Sequence, residues 1–288
     1  MGGLILIIST RGMIRRCVCV LIVLGLASGM VQHIIDDDTS VDVLDVGRGQ
    51  ASFLNVLGSG DVLVDAGPRF TAWKVLRHLR RQGVDQLHAL VLTHPGSQHY
   101  GGAFKLLEAM PIKELWCPSF KGRSKTYRAL LEKAKKYGLE IRTFHAGDRV
   151  ELGGDIACEF LYPHKGRDYK KADDASLAIR VAREGGSILI MGGAGETVEL
   201  DILEHRIEPA ASVLVVGNNP NTCSETWINM VMPTYAVINK GLIPEGLKER
   251  DIPIWRIDRQ GSVRVECIRS RSRGSIRSGV RIIQLDKD

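Results

Sequence analysis

From Val41 the chain passes through three short β-rich runs, VDVLDVG, ASFLNVLG and DVLVDAG, and then at Thr71 it changes to a helical period. Period-two runs separated by glycine and aspartate predict an antiparallel meander over Val41–Gly67. In TAWKVLRHLRRQG the spacing predicts an amphipathic helix, with Trp73, Leu76 and Leu79 on one side, basic residues on the other and Gly83 as its stop. The run Ala89–Thr93 reads as a buried strand, and the loop THPGSQHYGG leaves its C-terminal end.

The alternation continues. Helices are expected at Phe104–Glu108, Lys125–Tyr137 and Thr197–Glu204. Strands are expected around Leu115, Ile141 and Val150, over Ile156–Leu161, Leu177–Ala182, Ser187–Met191, Val213–Val216 and Ala236–Ile238, and in a terminal hairpin. No internal repeat or long linker interrupts this order, so one mixed α/β domain over residues 40–288 is the economical reading.

With 44% hydrophobic residues in 288, such a domain can bury a large core. The formal charge of +6 favours contact with polyanions or acidic lipid without naming either. Cys17, Cys19, Cys117, Cys158, Cys223 and Cys267 form no zinc-ribbon or disulfide pattern and read as small apolar residues.

Residues 1–36 differ in kind. CVCVLIVLGLASGMV, Cys17 to Val31, is uncharged and follows Arg11, Arg15 and Arg16, so the expectation is a single membrane span with its N-terminus in the cytoplasm. The globular domain then lies on the extracytoplasmic side. The alternatives are a secreted form cut near LASG, a buried helix, and an earlier span of which Leu4–Ile8 is the tail.

In layered α/β folds polar residues gather where loops leave the C-terminal ends of strands. Four loops fit: THPGSQHYGG, MGGAGE, GNNPNTCS and NKGLIPE. In chain order DVGRGQASFL, LVDAGP, LTHPGSQHYGG, DDASLAIR, ILIMGGAGE and VLVVGNNPNTCS resemble the metallo-β-lactamase fold, and specifically the C-terminal domain of the ComEC DNA-internalisation family. The resemblance covers roughly residues 40–285. It implies an αββα sandwich with a dinuclear metal cleft on one edge, preceded by membrane helices.

The family's loop runs T-H-P-H-x-D-H-x-G-G, a crowding needed to hold two cations about 3.5–4 Å apart. Here His94 and His99 remain, while Gly96 and Gln98 stand at the second histidine and the aspartate. Gly193 replaces the bridging aspartate of T-G-D-A-G, and Asn218 and Asn219 replace the paired histidines of G-H-H-G-S. The two surviving histidines serve different ions in the family pattern. One imidazole apiece does not confine zinc, which takes three protein ligands in catalytic sites. No cofactor is therefore expected, with zinc or manganese the candidates if metal is still held.

Without a cation nothing lowers the pKa of water, so a non-catalytic domain is expected; an active form would be a metal-dependent phosphodiester hydrolase. Ser97 is a weak candidate nucleophile beside the two histidines. Gln50 replaces an aspartate of the family's D-V-G-Q-G-D. Asp45, Asp65, Asp173, Asp174 and Ser176 read as loop braces.

Two basic segments are candidates for sequence-independent DNA contact. One is Lys121–Gly138, with Lys125 and Arg128 on a helix; the other is Arg269–Arg281, read as a basic loop carrying Arg269, Arg271, Arg273 and Arg277. Few aromatic residues interleave with these cations, which lowers the case for a single-strand groove. The expected role is a membrane-tethered part or remnant of a ComEC-type uptake apparatus, with DNA and a separate multi-span membrane channel as partners. The short N-terminus suggests the tail of a longer ancestor. A nuclease with unorthodox ligands and an exported domain for another anionic partner are the alternatives.

Overall fold

A computed structural model describes residues 39–56, 60–120, 124–153, 155–219, 221–272 and 275–285. The membrane segment expected over residues 1–36 lies outside them, and no helix among the described residues is long and apolar enough to cross a membrane.

Two sheets face each other. The first has the order β15 (Ser275–Gln284), β14 (Val263–Ser272), β1 (Ser40–Val43), β2 (Ser52–Asn55), β3 (Val62–Val64), β4 (Leu87–Val91), β5 (Ile112–Pro118) and β6 (Glu140–Phe144). The second has the order β13 (Ile254–Arg256), β12 (Tyr235–Ile238), β11 (Val213–Val215), β10 (Gly186–Ile190), β9 (Ala178–Arg183), β8 (Ile156–Tyr162) and β7 (Arg149–Gly153). The meander expected from Val41 is present, since β1–β2 and β2–β3 are antiparallel. From β3 to β6, and from β10 to β13, the pairing is parallel.

Side-chain alternation explains the layers. In β3, Val62 and Val64 enter the core between the sheets, whereas Leu63 enters the outer core beneath the first helices. Likewise Val213 and Val215 of β11 face the inner core and Leu214 the opposite one. Strands covered on both faces read as continuous apolar runs. Helices α1 (Ala72–Arg81), α2 (Ser97–Tyr100), α3 (Ala103–Ala109) and α4 (Lys125–Lys136) cover the first sheet. The second is covered by α5 (Glu196–Glu204), α6 (Glu225–Val231) and α7 (Glu245–Glu249), while α8 (Ile257–Gln260) leads from β13 toward β14. The result is the expected αββα sandwich.

Two expectations need correction. Trp73 does not share the apolar side of α1: it is 52% exposed, and Val75, Leu76, His78 and Leu79 are buried instead. Trp73 and Arg77 are one turn apart, and the guanidinium sits 4.5 Å from the centre of the indole, so the ring joins the basic face. Secondly, the basic segment Arg269–Arg281 is mostly not a loop. Strands β14 and β15 extend the hairpin, pairing Arg269 with Ser278, Ser270 with Arg277 and Arg271 with Ile276. Backbone ladder bonds carry this ribbon past the apolar residues on which the shorter reading was based. Arg273 lies outside the described residues.

Candidate functional site

The loops that leave β3 and β4 meet through Asp65. Its φ of 60° places it in the left-handed region, and its amide donates to the Val91 carbonyl at 2.8 Å. The fully buried carboxylate then accepts the Thr93 amide at 2.8 Å on Oδ1 and the Thr93 hydroxyl at 2.6 Å on Oδ2. Oδ2 also lies 2.7 Å from His99 Nδ1. A carboxylate at this point accepts, so His99 carries its proton on Nδ1. Asp65 thus braces the loop as expected and also orients one of its two imidazoles.

His94 is held differently. The Gly96 amide donates to its Nδ1 at 2.9 Å, and Nε2 lies 2.7 Å from Asp173 Oδ1. The amide occupies the Nδ1 lone pair, so the proton resides on Nε2 and donates to Asp173. Burial lowers the His94 pKa, the nearby His99 adds to the effect, and Asp173 opposes it. Both nitrogens of the neutral ring are therefore engaged. The two imidazoles stand 5.1 Å apart, centre to centre.

Glycines at two altered ligand positions fit around this ring. A Cβ at Gly96 would come within 2.6 Å of His94 Nδ1, and a Cβ at Gly193 within 2.8 Å of His94 Cγ. Any side chain there must displace the imidazole. The Gly193 amide donates to Ser176 Oγ at 2.9 Å, which gives Ser176 its bracing role. Asp45 braces the first loop by accepting the Gly47 amide at 3.0 Å.

Other substituted positions do not point donors at the histidines. Gln98 is exposed, and its backbone carbonyl accepts the backbone N–H of Gln50 at 3.4 Å. Asn218 donates through its backbone to Gly192, while Asn219 closes a local turn by accepting the Asn221 amide at 3.1 Å. Ser97 is exposed and makes no side-chain hydrogen bond to either imidazole among the described residues. Gln50 is buried, with neither amide atom partnered among the described residues.

Metal binding can be tested on these contacts. Four potential donors survive, and hydrogen bonds hold them in two pairs, His94 Nε2 with Asp173 and His99 Nδ1 with Asp65, which leave His99 Nε2 as the one imidazole lone pair still open. Among the described residues, no three donors of this loop cluster lie within 4.8 Å of one another. A dinuclear centre needs several convergent donors per ion, so the residues present do not fit it. The Asp65 and Asp173 pairings were not evident from the sequence, where only the histidines bore a recognisable spacing.

Exposed cations lie on the helices next to the loop. Lys125 and Arg128 are exposed on α4, whose start meets the histidine loop through the Tyr100 and Tyr127 rings, 5.2 Å apart. On the other flank, Phe70 is 73% exposed beside Arg69, and Trp73 and Arg77 follow on α1. Sequence reading missed this mixed aromatic and basic face because Trp73 was assigned to the core. The helical i, i+4 relation of Trp73 to Arg77 is the signal that would have found it.

The beta-lactamase superfamily domain matches residues 61–242. Recombination protein 2 of Haemophilus influenzae is 27% identical over 238 residues, covering 79% of this chain and 27% of that protein. Competence protein ComA of Neisseria gonorrhoeae is 26% identical over 243 residues, covering 82% and 32% respectively. The chain thus spans about a third or less of the length of these relatives. A solved metal-dependent hydrolase of the beta-lactamase superfamily, Tm1679, superposes with a TM-score of 0.50 at 15% identity, over 76% of this chain and 95% of that one. The family match spans most of the sandwich and both strands that bear the histidine loop: this chain belongs to the beta-lactamase superfamily.

Proposed function

We propose that the chain is a membrane-tethered, non-catalytic domain of a ComEC-type DNA-uptake system, which contacts DNA through its phosphates. Competence and recombination proteins among its relatives support the setting. One observation carries the non-catalytic part: both nitrogens of His94 are engaged, by Gly96 and Asp173, so of the two surviving imidazoles only His99, through Nε2, keeps a lone pair for an ion. A water with no cation beside it keeps its high pKa, and the hydrolytic nucleophile is lost. Exposed Lys125 and Arg128 beside the loop, with the arginines of the β14–β15 ribbon, supply sequence-independent attraction. The globular domain sits on the extracytoplasmic side of the membrane, next to a separate multi-span channel protein.

The test uses the full chain with duplex and single-stranded DNA over a range of salt. Binding should weaken linearly on a logarithmic salt scale, with a slope of about −0.9 per phosphate contact for duplex. Replacing Lys125, Arg128, Arg269, Arg271, Arg273 and Arg277 by glutamine should lower both affinity and slope. Cleavage stimulated by zinc or manganese and abolished in the His94→Ala, His99→Ala double variant would contradict the proposal. Salt-independent binding would contradict the DNA role.

A further inference from the structure

The geometry points to a mononuclear zinc-class metal site at His164, Asp201 and His205, remote in sequence from the histidine loop and independent of its altered ligands. One donor atom from each of the three residues lies within 4.8 Å of the other two. Asp201 and His205 are four residues apart at the end of α5, so they share a helix face. His164 comes from the loop after β8, where its amide donates to the Tyr169 hydroxyl at 2.9 Å. The two imidazoles stack with centres 3.8 Å apart and planes 30° apart.

Three features mark a ligand set rather than a fortuitous cluster. First, the spacing is close to what a tetrahedral ion requires. Zinc bonds of about 2.0–2.1 Å to nitrogen and oxygen put neighbouring donors about 3.3 Å apart. His205 Nδ1 is already 3.4 Å from Asp201 Oδ1, and His164 Nε2 is 4.0 Å from Asp201 Oδ2. With all three donors within 4.8 Å of one another, they must draw in by up to about 1.5 Å to close the set.

Secondly, His164 Nε2 is a buried nitrogen without a hydrogen-bond partner among the described residues. Native interiors rarely leave such an atom unsatisfied, and a metal bond would satisfy it. Burial lowers the His164 pKa and the adjacent His205 lowers it further, which favours the neutral ring that a metal takes. Thirdly, both imidazoles line a cleft of about 480 Å³ that also holds Asp148, Glu159 and Arg180. Three protein ligands with an open side suit water or a small anion in the fourth position.

Arg167 competes for the site. Its Nη1 lies 2.5 Å from both Asp201 oxygens, but the side chain is 51% exposed and can withdraw into solvent. His205 also gives up a 2.8 Å hydrogen bond from Nδ1 to the Asp201 carbonyl when it turns to the ion. The guanidinium therefore acts as a stand-in for the cation, and removing it should tighten metal binding.

The experiment is competition for zinc between the full chain and a chromophoric chelator at neutral pH. One zinc per chain is expected. His205→Ala, at a half-exposed helix end, should weaken binding at least tenfold. Asp201→Asn should do the same, and Arg167→Gln should tighten binding several-fold. The His94→Ala, His99→Ala double variant should leave the stoichiometry unchanged. No zinc withheld from the chelator, or equal affinity in the wild type and His205→Ala, overturns the proposal. So does weaker binding in Arg167→Gln, which would make the Arg167–Asp201 pair structural only.

Discussion

His94 Nε2 lies 2.7 Å from Asp173 Oδ1, although 79 residues separate the two in the chain. With the Gly96 amide on the other nitrogen, this contact leaves His94 no lone pair for an ion. Nitrogen-resolved NMR at neutral pH should therefore find the His94 proton on Nε2. A proton on Nδ1 would contradict this arrangement. Because the Asp173 side chain is 59% exposed, Asp173→Ala should change stability by less than about 1 kcal/mol. Thermal or denaturant unfolding checks it.

Restoring one family ligand should not restore chemistry. In Gly193→Asp the new Cβ would start 2.8 Å from His94 Cγ, so the imidazole or the loop must move. The expected cost is about 1–3 kcal/mol of stability, with no metal-stimulated DNA cleavage gained. A stable variant that hydrolyses DNA would show that a single carboxylate was the missing part.

Much of the sandwich was legible because its strands obey simple periodicity. DVLVDAG reads as a strand of the meander, and the buried Ala89–Thr93 run places the histidine loop at a strand end. The partner of His94 was not legible, since nothing in DDASLAIR marks Asp173 as the residue that folds back on the loop. Nor was the His164, Asp201 and His205 cluster, where one ligand comes from a loop and two from a helix end. Trp73 was misplaced because an aromatic residue at helical spacing resembles core until its contact with Arg77 is seen.

Asp42 is fully buried on β1, directly opposite Arg264 on β14. Arg264 donates to its two oxygens at 2.7 and 2.8 Å, and His78 Nε2 lies 2.8 Å away. Burial alone would raise the Asp42 pKa, but the hydrogen bonds and charges of Arg264 and His78 hold it below the ordinary carboxylate value. A depressed folded pKa stabilises the fold above the unfolded value, near 3.9, and that stabilisation is lost as pH falls toward the lower folded pKa. Asp42→Asn should cost about 3–5 kcal/mol by removing the carboxylate that pairs Arg264, which keeps Gln82 Oε1 as an acceptor, and should remove this part of the acid sensitivity. Unfolding curves of both forms across acidic pH measure the two effects; a cost near zero would contradict them.

Gln50 is buried with both amide atoms unpartnered among the described residues. An unsatisfied amide in an apolar setting costs about 1–3 kcal/mol. Gln50→Met, of similar length without the polar atoms, should be as stable as the wild type or more stable by about 1 kcal/mol. A loss above that size in denaturant unfolding would reveal an essential polar partner.

The most direct measurement is anomalous diffraction at the zinc edge from crystals of the full chain soaked in zinc. The account predicts no dinuclear centre at His94 and His99, because both His94 nitrogens remain on Asp173 and Gly96 and His99 Nε2 alone cannot hold two ions. Two well-occupied peaks about 3.5–4 Å apart at these histidines, the separation of a dinuclear hydrolase, would contradict it.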